Sequence, residues 1–222
     1  MTIEIASPLA GWATPLEAVP DPVFAERMLG DGLAIDPIEG RLIAPGGGTI
    51  VTAHPGGHAV TLALDSGPVL LMHIGLDTVG LGGAGFTLHA AEGQRVAAGE
   101  TLVAFDLDRL ARTARSLVTP VIVTNGEAFR IAARADEGAV VIGAPLMTLE
   151  SVASAGATSV QAGPTAEQRL RLPLAQGLHA RPAGRIAKLA SEHEADSEIV
   201  TDVGRAASAR SAVAMLGLAL GH

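Results

Sequence analysis

Two histidines sit where they could do chemistry. His58 opens one apolar run, HAVTLAL at 58–64, and His73 lies towards the end of the next, PVLLMHI at 68–74. Asp65-Ser66-Gly67 between them is a turn signal, so the runs are expected to form a hairpin that brings the two rings close. Imidazole is nucleophilic at neutral pH, and a phosphohistidine passes its phosphoryl group readily to another nucleophile. A second imidazole beside it could hydrogen-bond the phosphoryl oxygens and offset their charge. The same pair has other readings: two structural histidines on neighbouring strands, or, with Asp77, a zinc ligand set. A further candidate lies in GLHARPAGR at 177–185. His179 immediately precedes a helix start marked by Pro182, and the first N–H groups of a helix form an anion site. A phosphoryl group on His179 would rest against them, with Arg181 as a fixed cation. The plainer alternative is a helix cap with a solvated histidine.

The elements that position these residues fall into two parts. Residues 1–150 read as β-rich, with short apolar runs at 41–44, 49–53, 58–64, 68–74, 101–105 and 121–124. Gly46-Gly47-Gly48, Asp65-Ser66-Gly67 and Asn125-Gly126 separate several of them. This spacing predicts an all-β sandwich or barrel, with a short helix over 107–115 (LDRLARTAR). Residues 151–167 read as a flexible linker, since 151–166 (SVASAGATSVQAGPTA) hold no charged residue. Next, RLRLPL at 169–174 alternates as a strand. A helix is expected from Pro182, its apolar face marked by Ile186, Leu189 and Ala190. A short hairpin arm is expected at 197–203 and a second amphipathic helix at 209–220.

Composition removes several function classes. There is no cysteine, hence no disulfide framework, thiolate metal site or cysteine nucleophile. Residues 1–166 hold 17 acids and 8 bases, whereas residues 167–222 hold 6 acids and 7 bases. Nucleic acid is not expected as a partner of the acidic first part, and the asymmetry suits two modules that dock on each other. The N-terminus has no basic residue before Arg27 and no signal-peptide pattern. No apolar stretch approaches the ~20 residues of a spanning helix. A soluble cytoplasmic protein with no direct membrane insertion is expected.

The stretch PVLLMHIGLDTV at 68–79 closely resembles the active-site strand of the glucose-family enzyme IIA of the bacterial phosphotransferase system. PDPVFAERMLGDGLAIDP at 20–37, IAPGGGTI at 43–50, GHAVTL at 57–62, GFTLHAAEGQRVAAGETLVAFDLD at 85–108 and TPVIVTN at 119–125 carry the resemblance through residues 1–150, in order. It implies that His73 is the phosphorylated histidine and His58 the phosphate-stabilising one, with Asp21 and Asp77 at the partner-docking rim. One position departs. The family usually has a hydroxyl residue two before the stabilising histidine, and here Gly56 stands there. EGQRVAAGETLV at 92–103 also looks like a lipoyl or biotinyl carrier motif. Those carriers need a lysine, and the single lysine of the chain, Lys188, lies outside this part.

The run GLHARPAGR, with LPLAQ before it and ARSAVAMLGLALG after it, resembles HPr, the small phosphocarrier of the same system. The resemblance implies that His179 is the phosphorylated histidine, Arg181 the family arginine and Ser211 the position of a regulatory serine. It covers 168–222 and stops where complete HPr modules run on through another strand and helix. A truncated α+β open-faced sandwich is therefore expected, either in a piece of a longer chain, resembling multiphosphoryl transfer proteins that continue into enzyme I, or as a second domain that is not functional as written. The implied activity is that of a phosphotransferase with a phosphohistidine intermediate. Phosphoenolpyruvate is the ultimate donor. No cofactor is expected in this chain, and Mg2+ only if an enzyme I domain follows. The implied partners are enzyme I, HPr and the IIB/IIC sugar transporter, for glucose or N-acetylglucosamine uptake. A phosphorylation-switched regulatory module, and a zinc hydrolase built on His58 and His73, remain as alternatives. The 16 uncharged residues 151–166 span roughly 20–24 Å, which gives the tethered modules a millimolar-range effective concentration.

Overall fold

The computed structural model describes residues 2–152, 166, 168–169, 178, 180–193, 197–202, 204–216 and 218. Among them, eight strands form one antiparallel sheet in the spatial order Gly138–Val140, Gly11–Pro15, Asp31–Pro37, Thr119–Val123, Val69–His73, Ala59–Leu64, Gly48–Ala53, Arg95–Val96. Two three-stranded sheets accompany it. One pairs Thr2–Ala6 and Phe129–Arg134 with the two sides of Pro145–Ser151, and the other pairs Arg41–Ile43 and Phe86–Leu88 with Thr101–Phe105.

The central strands are apolar at successive positions because the sheet is covered on both faces. Leu33 and Ile35, Leu70 and Met72, and Val121 and Val123 point one way, into a core shared with Ile5, Leu42, Leu102 and Leu149 of the small sheets. The residues between them, Ala34, Leu71 and Ile122, point the other way. There they meet Leu16, Val23, Phe24 and Leu29, and also Leu178, Ala183, Ala187 and Met215 of the C-terminal part. His73 follows Leu71 by two, so the pleat puts it on this second face.

Among the described residues, four α-helices complete the fold: α1 (Pro22–Ala25), α2 (Leu107–Thr113), α3 (Ala180–Ser191) and α4 (Ala212–Leu216). α2 matches the helix expected over 107–115. The hairpin arm is present as Glu198–Val200 paired with Ala206–Ser208, longer than expected. No helix among the described residues is long and apolar enough to cross a membrane.

Three expectations change. His58 lies one residue before its strand, which begins at Ala59. α3 begins at Ala180, so Pro182 sits inside the first turn, where its missing N–H costs nothing. Leu189 does not face the core: it is 59% exposed, whereas Ala183 and Ala187 are 0% and 5% exposed. The helix packs through its small residues against Val23 and Leu29. A close approach needs short side chains, and that outweighed the size of Leu189. The linker over 153–165 and 167 and most of the 169–174 strand lie outside the described residues.

Candidate functional site

The hairpin of Ala59–Leu64 and Val69–His73 sets the site. Its register pairs Ala59 with His73, and Gly67 closes the turn with its N–H on the Leu64 carbonyl (2.9 Å). His58 is extended from the ladder by one further bond, Ile74 N–H to its carbonyl (2.7 Å). The His58 and His73 ring centroids are 5.2 Å apart. Both residues are buried, 4% and 8% exposed.

The segment after His73 fixes its ring. His73 Nδ1 lies 2.8 Å from the Gly75 carbonyl oxygen. A carbonyl only accepts, so Nδ1 carries the proton and Nε2 keeps its lone pair. Gly75 can offer that carbonyl because it is a glycine: its φ is +68°, and a Cβ would lie 2.8 Å from the Ser116 carbonyl oxygen. Thr78 Oγ1 donates to the Ile74 carbonyl (2.7 Å), and the Leu76 N–H donates to Ser116 (2.9 Å). Burial lowers the pKa of His73. The Gly75 carbonyl opposes this, His54 adds to the lowering, and Asp21 pulls weakly the other way. The net result is a neutral ring at physiological pH with an open Nε2. Phe24 packs its ring 5.6 Å from that of His73.

The acids expected at the rim converge. Asp21 caps α1 by accepting the Val23 N–H (3.0 Å), and its other oxygen accepts from Arg181 Nη2 (2.7 Å). Asp77 accepts from the same nitrogen (2.9 Å) and faces Arg115 at 3.6 Å. The two carboxylates raise the pKa of Arg181, the Asp21 hydrogen bond contributing most. A guanidinium from the C-terminal part thus bridges both acids of the first part, and Lys188 adds an ion pair to Glu26 (3.0 Å).

His179 lies outside the described residues. Ser211 directly precedes α4. Its hydroxyl accepts the Ala214 N–H (3.2 Å), and it lines a cavity of about 860 Å³ with Met28, Thr124, Glu127 and Arg210. No three His, Cys, Asp or Glu side chains among the described residues are grouped to hold a metal. Asp77 of the zinc alternative is directed to Arg181 and Arg115.

Sequence reasoning missed His54 and Phe24. The His54 ring lies 4.0 Å from that of His58. The run His54-Pro55-Gly56-Gly57-His58 is a signal that could have found it, since two histidines flanking a Pro-Gly-Gly turn are brought together.

Residues 3–129 match the family described as the phosphoenolpyruvate-dependent sugar phosphotransferase system, EIIA 1. Residues 166–222 match the PTS HPr component phosphorylation site. Among solved structures, glucose permease IIA from Mycoplasma capricolum is similar at 39% identity and a TM-score of 0.63, over 67% of this chain and 96% of that one. A buried histidine pair on a two-faced antiparallel sheet, with a second module seated on its rim, accords with these matches. The chain belongs to the EIIA 1 family of the phosphoenolpyruvate-dependent sugar phosphotransferase system and serves that system as a phosphocarrier.

Proposed function

We propose that the chain relays a phosphoryl group from His179 to His73 and on to a IIB domain of a sugar transporter. The observation that carries this reading is the state of His73: Nδ1–H is committed to the Gly75 carbonyl, and Nε2 is free to attack. Nε2 forms a bond to phosphorus as the donor nitrogen's bond to phosphorus breaks. The Nδ1 proton stays on the ring, so phosphorylated His73 carries a cationic imidazole and is a good leaving group for the next transfer. Little covalent help is needed, and positioning with charge stabilisation does most of the work. His58 supplies that stabilisation from 5.2 Å between ring centroids.

Arg181, two residues after His179 in sequence, holds the donor module on Asp21 and Asp77. Enzyme I, charged by phosphoenolpyruvate, supplies His179, and the relay runs in the cytoplasm. Glucose is the first sugar to test, because the similar structure is a glucose permease IIA, and N-acetylglucosamine the second. The deciding experiment is labelling with phosphoenolpyruvate, enzyme I and complete HPr. Wild type should take label within residues 1–150 and His73→Ala should not; equal labelling would sink the proposal. His58→Gln should still accept the group but pass it on slowly.

A further inference from the structure

The absence of a hydroxyl side chain at Gly56 raises the question of what holds the His58 ring. We propose that His54 is the positioning residue for His58, its ring locked by the Gly56 N–H and packed on the His58 ring. The inference rests on the relay reading above, and it is carried by three observations around one turn.

First, His54 is fixed by backbone. Its N–H donates to the Ala59 carbonyl (3.0 Å), and its own carbonyl accepts from the Gly57 N–H (2.7 Å). The loop joining Gly48–Ala53 to Ala59–Leu64 is therefore closed at its base, and the residue that closes it is a histidine. Second, the ring is oriented. The Gly56 N–H donates to His54 Nδ1 (3.2 Å), which uses that lone pair and sets the orientation of the ring. Third, the two rings meet over Gly56. Their centroids are 4.0 Å apart with planes inclined at 53°. A Cβ at position 56 would lie 3.2 Å from His58 Nδ1 and 3.4 Å from His54 Nδ1. Glycine here is what lets both rings approach. A side chain at 56 and a ring at 54 are thus alternative ways to support His58, and this chain uses the ring.

The contact extends the pair into a row. His54 lies 4.0 Å from His58, and His58 lies 5.2 Å from His73. Burial is the largest influence on His73, and the field of His54 adds to the lowering of its pKa. His54 is half-buried while His58 and His73 are buried, so the row leads from the solvent edge to the accepting nitrogen.

The test uses the full chain. Wild type, His54→Ala, His54→Phe and Gly56→Ala are charged with phosphoenolpyruvate, enzyme I and HPr, and onward transfer to a purified glucose-type IIB domain is measured over a range of IIB concentrations. At metal sites, removing a group that orients a ligating histidine costs about 10–100-fold, and the lower end of that range sets the scale for His54. His54→Ala should therefore lower kcat for onward transfer about tenfold with KM unchanged. His54→Phe, which keeps a ring against His58, should restore most of it. Gly56→Ala, which keeps both histidines but crowds them, should slow transfer in the same sense. Nitrogen-detected NMR of the His58 ring gives a readout independent of the relay, and its signals should shift in His54→Ala. Wild-type kcat with unmoved His58 signals would overturn the proposal, as would a rise in KM alone, which would mark His54 as a docking contact. If wild type takes no label, the relay reading fails while the His58 signals still decide the role of His54: a shift supports it and none refutes it.

Discussion

Replacing Asp21 with asparagine isolates the charge on which Arg181 is seated. The amide oxygen can still accept the Val23 N–H, so the cap on α1 survives. What is lost is the attraction between a carboxylate side chain 6% exposed and a guanidinium 47% exposed, at an N···O distance of 2.7 Å. Two unit charges about 4 Å apart attract by about 4 kcal/mol at an effective dielectric of 20. Half-exposed Arg181 recovers much of that from water when it leaves, so about 1–2 kcal/mol of docking remains attributable to Asp21. The Asp77 pair is 47% exposed on both sides and contributes about 0.5 kcal/mol. Asp21→Asn should slow transfer between the modules about 5–30-fold, and Asp77→Asn only about twofold. The assay charges the full chain in a single turnover, cleaves it between the modules and counts label on each piece, at about 0.01 M and about 1 M salt. The Asp77 effect should fade at high salt, while the Asp21 effect, shielded by burial, should persist. Equal rates for wild type and Asp21→Asn at both salt concentrations would refute this account, and so would a larger loss from Asp77→Asn.

Three further outcomes are expected. The His73 imidazole, held neutral chiefly by burial, should titrate below the ordinary value of about 6.5, so acceptance of the phosphoryl group should stay level from pH 8 down through that value. Because the unfolded chain takes up this proton first, stability should decline as pH falls from about 6.5 towards the depressed folded value; an NMR midpoint for His73 at or above 6.5 would contradict both. Gly75→Ala meets the Ser116 carbonyl oxygen at 2.8 Å with φ at +68°, and urea denaturation should show a loss of about 1–3 kcal/mol, with an unchanged midpoint as the contrary result. Leu189→Lys, on the exposed face of α3, should stay within about 0.5 kcal/mol of wild type. Ala183→Leu, in the same helix but fully buried, should cost about 1–3 kcal/mol by overpacking, and the reverse order would show that the packed face is misassigned.

The hairpin of His58 and His73 is legible in the sequence because its turn and both apolar runs are local and contiguous. So is α2, with Asp106 as its N-cap. The strands Gly11–Pro15, Asp31–Pro37 and Pro145–Ser151 are not, since each carries a proline that reads as a breaker when alone. In the fold these prolines occupy strand ends, where a missing N–H is tolerated. Phe129–Arg134 is mostly exposed and has little apolar signal of its own. It is a strand because Pro145–Ser151 pairs with it, and that strand in turn pairs with Thr2–Ala6 at the far end of the domain. Pairing over such separations leaves no local periodicity. At the site, residue types were readable and their support was not. The Gly75 carbonyl, the Phe24 ring and His54 act through three-dimensional placement. The convergence of Asp21 and Asp77 on one arginine requires the two parts of the chain to be brought together, a contact that neither part encodes by itself.

The seat of Arg181 has a consequence for traffic. The two acids that rim His73 are already occupied by a module of the same chain, so an outside carrier finds a surface with a resident. On the proposed relay, a IIB partner would collect the phosphoryl group only in the intervals when that resident steps away. Loading and unloading therefore make opposite demands on the segment that joins the two parts. A shorter joint returns the resident sooner and speeds charging, while a longer one lengthens its absences and speeds delivery. The overall flux should peak at an intermediate length.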